Sequence, residues 1–423
     1  MGFRAQLTTQ EGIMSLKGNA IIGQSGGPTI VINASLVGAI QAAWDIDEID
    51  RFFGAVHGMD GVLNEDLCDL FREDPDTVEA IKLVPSAGLG TCRLKPKDKD
   101  LERAMEVFKA HDIRYFFYIG GDDSQLACHR VSELAKSSDW EMRVIGIPKT
   151  IDNNLVVTDC SPGFGSAARY AATCCQAVGR DAEAFGNLEV VEIMGRNEGW
   201  LTGATSAARP TPEAPPHLVY LPEVKVTREQ LIDDVKAKYD ELGYCVIAVS
   251  EGFAFEGEDR VTSSSQVDEF GHSRLGGVAQ WLSDVVEEGT GVRSRHDKLG
   301  NLQRCFSATA SQVDLDQAYA VGQKAVYWAV EGQTDIMVTI ERENDDPYQW
   351  ECGATSLMTV AGASKAVPRE WINETGNDVT EEFVTYCKPL LTGRACELDT
   401  GFSSFPKFRL HRIDCKLCAY ERE

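Results

Sequence analysis

Histidine is scarce in this chain, seven in 423 residues. No stretch approaches the ~18 consecutive apolar residues that a membrane-spanning helix needs. The first residues, Met1-Gly-Phe-Arg-Ala-Gln-Leu7, have no apolar core of the kind a secretory signal carries. Positive charge is in deficit, with 41 Lys and Arg against 66 Asp and Glu and a formal net charge of −25. That balance excludes nucleic acid and an anionic membrane surface as main partners. It leaves room for small anionic ligands, because a few local cations make a positive pocket inside an acidic protein. A disulfide framework is also missing. The 13 cysteines are scattered and odd in number, which suits a reducing compartment, so the expected location is the cytoplasm. Cys415-Lys-Leu-Cys418, with His411 before it, has metal-ligand spacing. A zinc site needs four ligands, however, and no second such pair exists, so the reading is a tail of ordinary thiols.

What the chain does have is a core. Hydrophobic residues make up 43% and charged residues 25%, as in globular proteins long enough for two domains. One pattern recurs: a short apolar strand, a glycine-rich or polar loop, then a helix. Strand 19–22 leads into Gly23-Gln-Ser-Gly-Gly-Pro28 and a largely apolar helix over 29–44. Residues 52–70 are β-like and rich in turns, and Pro85-Ser-Ala-Gly-Leu-Gly-Thr-Cys-Arg93 is a second glycine loop. After a helix at 101–110, strand 114–119 stops at Gly120-Gly-Asp-Asp-Ser124, where Ser124 is the expected N-cap of the next helix. Strand 143–147 runs into Pro148-Lys-Thr-Ile-Asp-Asn-Asn154.

The alternation then restarts. A helical stretch reaches 176, and strand 188–194 ends in Gly195-Arg196-Asn197. A strand at 219–221, a helix over 227–242 and a strand over 244–250 lead to Glu251-Gly252. A helix over 275–288, the stretch Leu299-Gly-Asn-Leu-Gln-Arg304, a helix over 315–331 and a strand over 335–340 follow. Beyond about 345 the pattern is irregular, with helical hints over 380–391. The fold class expected is α/β, with two doubly wound parallel-sheet domains and an irregular C-terminal segment.

Loops at the carboxyl ends of parallel strands are where such sheets bind ligands. Glycines let backbone N–H groups approach a phosphate, a forked guanidinium such as Arg93 suits one, and paired carboxylates hold a hard cation. Gly23-Gln-Ser-Gly-Gly27 also satisfies the nucleophile elbow of serine hydrolases. Against that reading, barely twenty residues precede Ser25, too few for the strand that completes the oxyanion hole, and few histidines follow. Read singly, each loop could be a polar turn, Glu251 a cap and Arg304 a surface ion pair.

Together the loops are far more specific. Gly26-Gly27 with Asn33, Gly120-Gly-Asp-Asp-Ser124, Pro148-Lys-Thr-Ile-Asp152 and Met194-Gly-Arg196 stand in the order and spacing of the phosphofructokinase family. Glu251-Gly252 and Gln303-Arg304, with Asp316 and Gly322 downstream, extend the match. Over roughly 18–345 the chain resembles a 6-phosphofructokinase, most of all the diphosphate-dependent branch. The resemblance implies an active site in the cleft between two domains. Residues 17–162 with about 313–345 would bind diphosphate and Mg2+. Residues 163–312, with 346–423 as an optional addition, would bind fructose 6-phosphate, and 1–16 would be an N-terminal extension.

By the same resemblance Gly27, Arg93, Ser124 and Lys149 contact the donor, and Asp122 holds Mg2+. Asp152 is the base for the sugar 1-hydroxyl, and Arg196 offsets charge on the transferring phosphoryl. Thr150, Ile151, Met194, Gly195, Glu251, Asn301 and Arg304 join Asp152 and Arg196 around fructose 6-phosphate. The implied product is fructose 1,6-bisphosphate, a step of glycolysis run reversibly, and the implied assembly is a homodimer or homotetramer.

Donor choice turns on two positions. The ATP-dependent branch has glycines where this chain has Asp123 and Lys149. A carboxylate at 123 adds bulk and negative charge where a nucleotide α-phosphate would lie; Lys149 would hold diphosphate and partly offset that acid. Two departures from the family stand beside these. Asn154 replaces an Asp two residues past the base, and Asn187 replaces an Arg that reaches a neighbouring subunit's substrate. The alternatives are an ATP-dependent enzyme tolerating Asp123 and a catalytically weak regulatory subunit.

Overall fold

The computed structural model describes residues 16–260, 262–267, 273–275, 277–393, 395 and 405–422. The expected N-terminal extension lies outside these, apart from Leu16. The first third of the chain supplies five strands: β1 (Gly18–Gln24), β2 (Ile49–Ala55), β3 (Leu67–Asp69), β4 (Ile113–Gly120) and β5 (Arg143–Pro148). Strand β4 is apolar on both faces, and Tyr115, Phe116, Phe117 and Tyr118 are all buried. A strand without a polar face belongs at the centre of a sheet covered on both sides. It pairs in parallel with β1 and β5.

The middle of the chain builds a second sheet. Strands β6 (Leu188–Ile193), β7 (Leu218–Tyr220) and β8 (Cys245–Ser250) precede a hairpin of β9 (Thr262–Val267) and β10 (Ser273–Leu275). Strand β11 (Ser294–Lys298) completes a parallel sheet of order β11-β6-β8-β7. The chain then returns. Strands β12 (Ile336–Asp345) and β13 (Tyr348–Ser356) extend the first sheet to the order β13-β12-β5-β4-β1-β2-β3. Five of those strands run parallel, with β3 and β13 added antiparallel at the edges.

The returning helix Gln312–Val330 packs on the first helix, Ile32–Ala43, at backbone contact. A Cβ on Gly38 would lie 2.2 Å from the Tyr319 carbonyl oxygen, and one on Gly322 would lie 2.0 Å from that of Ser35. Only glycine fits at both crossings.

One expectation needs correction. Ser124 is not an N-cap: the helix is Asp122–Ser137, entered at Gly121. Asp122 and Asp123 therefore stand in its first turn, where the macrodipole favours carboxylates. Past 345 one further strand comes before the irregular segment, and the helical hints over 380–391 fall on the helix Glu381–Cys387 and the turn Lys388–Leu391. Strand β13 is part of the first sheet. The helix Glu381–Cys387 then packs Phe383 and Tyr386 around Trp200 and Trp371. Residues 405–422 run back over the first unit: Asp69 N donates to His411 O, Ile413 N donates to Leu67 O, and Glu65 accepts from the Lys416 and Leu417 amides. Aromatic burial and backbone pairing with distant strands hold this tail, and neither has local periodicity. Among the described residues no helix is long and apolar enough to cross a membrane.

Candidate active site

The ends of β1, β4 and β5 face those of β6 and β8 across a cleft of about 440 Å³. Gly27, Arg93, Asp122, Asp123, Ser124, Lys149, Thr150, Ile151, Asp152, Met194, Arg196, Glu251 and Arg304 line it. Two expected residues do not. Gly195 is buried at the turn between Met194 and Arg196, with φ of 139°. Asn301 is exposed, and its side-chain oxygen accepts from the Arg304 guanidinium.

The β1 loop is laced to its neighbours. Gly26 N donates to Cys92 O at 2.9 Å and Thr91 Oγ1 to Gly26 O at 2.7 Å, which sets Arg93 beside the glycines. Behind them Asn33 accepts from Gly88 N and donates to the carbonyls of Val84 and Ser86, while Gln24 accepts from Leu89 N. Ser25 Oγ accepts from Ser124 Oγ at 2.9 Å, a hydroxyl pair between two loops instead of the serine–histidine pair that an elbow would need.

Lys149 Nζ donates to Gly27 O at 2.7 Å. Burial pushes its ammonium down to about 8; Arg304 and Arg93 push the same way, and Asp152 opposes them. Arg304 lies close enough that a Cβ on Gly27 would come within 2.6 Å of its Nη1. Three cations thus crowd one glycine loop, an arrangement that suits a polyanionic ligand.

The acids are set apart from one another. Asp152 is raised by burial, against the pull of Lys149 and Arg304, and its backbone N donates to Thr150 Oγ1 at 3.1 Å. Asp122 is raised by burial and then by Asp123. Asp123 pairs with Lys95 at 3.0 Å, both half-exposed. Lys149 therefore does not offset Asp123; it points to Gly27 on the same wall of the cleft, and Lys95 takes that role.

On the opposite wall Gln303, fully buried, accepts from Met194 N at 3.2 Å and so fixes the start of the arginine turn. A Cβ on Gly252 would lie 1.8 Å from the Arg196 carbonyl oxygen, which is why glycine follows Glu251. Burial raises Glu251, as does Asp152 across the cleft. Asn187 sits at the other end of β6 from Met194, its carbonyl accepting from Cys245 N.

Sequence reading missed Lys95 and Glu198, and weighed Ser25 only as a hydrolase nucleophile. Ser25 and Glu198 both line the cleft; Glu198 had no spacing signal, and the partner of Asp123 is 28 positions distant. Among the described residues one trio of potential metal ligands converges, His129, Glu133 and Asp335, away from the cleft. Lys136 occupies it, 2.8 Å from Glu133 and 3.6 Å from Asp335. His411, Cys415 and Cys418 are not part of it.

The fold and cleft are those of a phosphoryl-transfer enzyme of the doubly wound class, and residues 19–329 match the family model described as phosphofructokinase. The chain belongs to the phosphofructokinase family. It is 40% identical to pyrophosphate–fructose 6-phosphate 1-phosphotransferase of Halomonas elongata, over 94% of this chain and 98% of that protein. It is 41% identical to the protein of the same name from Rhodospirillum rubrum, over 89% of this chain and 94% of that one. Its structure superposes on that of the pyrophosphate-dependent phosphofructokinase from Marinobacter aquaeolei with a TM-score of 0.88, at 35% identity, covering 96% and 100% of the two chains.

Proposed function

We propose that this chain catalyses reversible phosphoryl transfer from diphosphate to the 1-hydroxyl of fructose 6-phosphate, giving fructose 1,6-bisphosphate and orthophosphate. The observation that carries this reading is the pair at the two donor-branch positions: Lys149 anchored on the Gly27 carbonyl, and Asp123 held at the cleft wall by Lys95. The cations Lys149 and Arg93, with Gly27 and Ser124, bind the donor, and the Asp123 carboxylate opposes a further nucleotide phosphate. Asp152 takes the proton of the 1-hydroxyl as the oxygen attacks the nearer phosphorus. The bridging P–O bond breaks and orthophosphate leaves, with Arg196 offsetting charge on the transferring group. Thr150, Ile151, Met194, Gly195, Glu251, Asn301 and Arg304 hold the sugar phosphate.

The donor set fits Mg2+. Asp122 offers a hard carboxylate oxygen in the cleft, and this ion commonly binds through one or two carboxylates plus substrate phosphates. When bound it would neutralise donor charge. We assign diphosphate and Mg2+ to 17–162 with 313–345, the sugar phosphate to 163–312, and a cytoplasmic homodimer or homotetramer to the whole. Fructose 1,6-bisphosphate formation assayed with each donor tests the reading. Turnover with diphosphate and little with ATP is expected; turnover with ATP and none with diphosphate overturns it.

A further inference from the structure

The base Asp152 and the arginine Arg196 sit on loops from different sheets, after β5 and after β6. Backbone pairing within either sheet does not fix the distance between them. Residues 364–367, far down the chain, bond to both loops at once. Toward the base loop, Lys365 N donates to Asn154 O at 2.8 Å, and Lys365 Nζ donates to the carbonyls of Thr158 and Asp159 at 2.7 Å each. Toward the arginine loop, Lys365 O accepts from Trp200 Nε1 at 3.0 Å. Glu223 Oε1 accepts from both Gly199 N and Val367 N, at 2.8 and 3.0 Å. A side-chain relay closes the set: Asn154 Nδ2 donates to Ser364 Oγ at 3.3 Å, and Ser364 Oγ donates to Glu198 Oε1 at 2.5 Å.

We propose that 364–367 is a staple that sets the distance between Asp152 and Arg196, with Lys365 and Ser364 as positioning residues. Neither lines the cleft. The staple also gives Asn154 a role. An amide there can donate to Ser364 while Ser364 donates onward to Glu198. A carboxylate there cannot donate, and would stand near Glu198 with only a serine between. The inference rests on phosphoryl transfer at this cleft, and not on which donor is used.

Lys365→Met keeps the apolar stem and removes the ammonium; Ser364→Ala breaks the relay. Each variant, as full chain, is compared with wild type using whichever donor the wild type turns over, so a wrong donor assignment shows in the wild type alone. The expected result for Lys365→Met is a fall in kcat of roughly 10–100-fold with KM for both substrates within about threefold. Ser364→Ala should show a smaller fall of the same kind, and Lys365→Arg should recover part of the loss. Amide exchange gives a readout independent of turnover: the amides of 153–160 should exchange roughly tenfold faster or more in Lys365→Met while those of β4 stay unchanged. Wild-type kcat in both variants, or a loss matched by equal acceleration throughout the chain, overturns the staple.

Discussion

The ammonium of Lys149 donates to the carbonyl of Gly27 across 2.7 Å, so the β5 loop grips the β1 loop at the point where three cations meet. A bound diphosphate would take over part of that charge. Lys149→Met should therefore act on the donor. KM for diphosphate is expected to rise about 10–100-fold, the scale of a lost charge-assisted hydrogen bond, with KM for fructose 6-phosphate changing far less. Equal rises in both constants would show that the lysine only shapes the cleft.

Asp152→Asn keeps the shape and removes the base. Its kcat should fall by about 10²–10⁴ with modest change in either KM, as expected when general-base catalysis is lost. An effect confined to KM would reduce Asp152 to a binding group.

Asp123→Gly removes the acid at the donor wall and its ion pair with Lys95. Diphosphate turnover should fall and ATP turnover should become measurable in the same assay. Stability should change by less than ~1 kcal/mol in a urea titration, because the Asp123–Lys95 pair is half-exposed and screened. Unchanged donor preference would remove the steric and charge argument.

The pH profile follows from two opposite demands. Asp152 must be ionised to accept a proton, and burial raises its pKa, so activity climbs through a range above the ordinary carboxylate one. Lys149 must be protonated to hold diphosphate, and its ammonium is pushed down to about 8, so kcat/KM for diphosphate should decline as pH rises through about 8. The limbs belong to the coupled set of groups rather than to single residues. Lys149→Met should flatten the descending limb relative to wild type; the ionisation of diphosphate itself is common to both enzymes and cancels. A limb that persists unchanged in the variant assigns it to another group.

Strands, glycine loops and the order of the four motif loops were legible because each is local: an apolar run, a turn residue and a fixed offset lie within about ten positions. Asp122, Asp152 and Arg196 could be read for that reason. What was not legible depends on distance. Lys95 meets Asp123 only through folding, and the helix start at Asp122 instead of Ser124 reflects how Gly121 leaves β4. The tail was the largest omission. Besides nearby Trp371, Phe383 meets Trp200, Tyr386 meets Asn153 and Lys365 meets Thr158, distant pairings that no periodicity announces.

The two helix crossings at Gly38 and Gly322 have a consequence for synthesis on the ribosome. The first helix emerges early with one flank shaped for Gln312–Val330, and β5 waits for β12. Neither surface can be covered until more than three hundred residues have been made. The amino-terminal half must therefore persist incomplete through most of translation, its closing pieces arriving after the second sheet has been threaded between them.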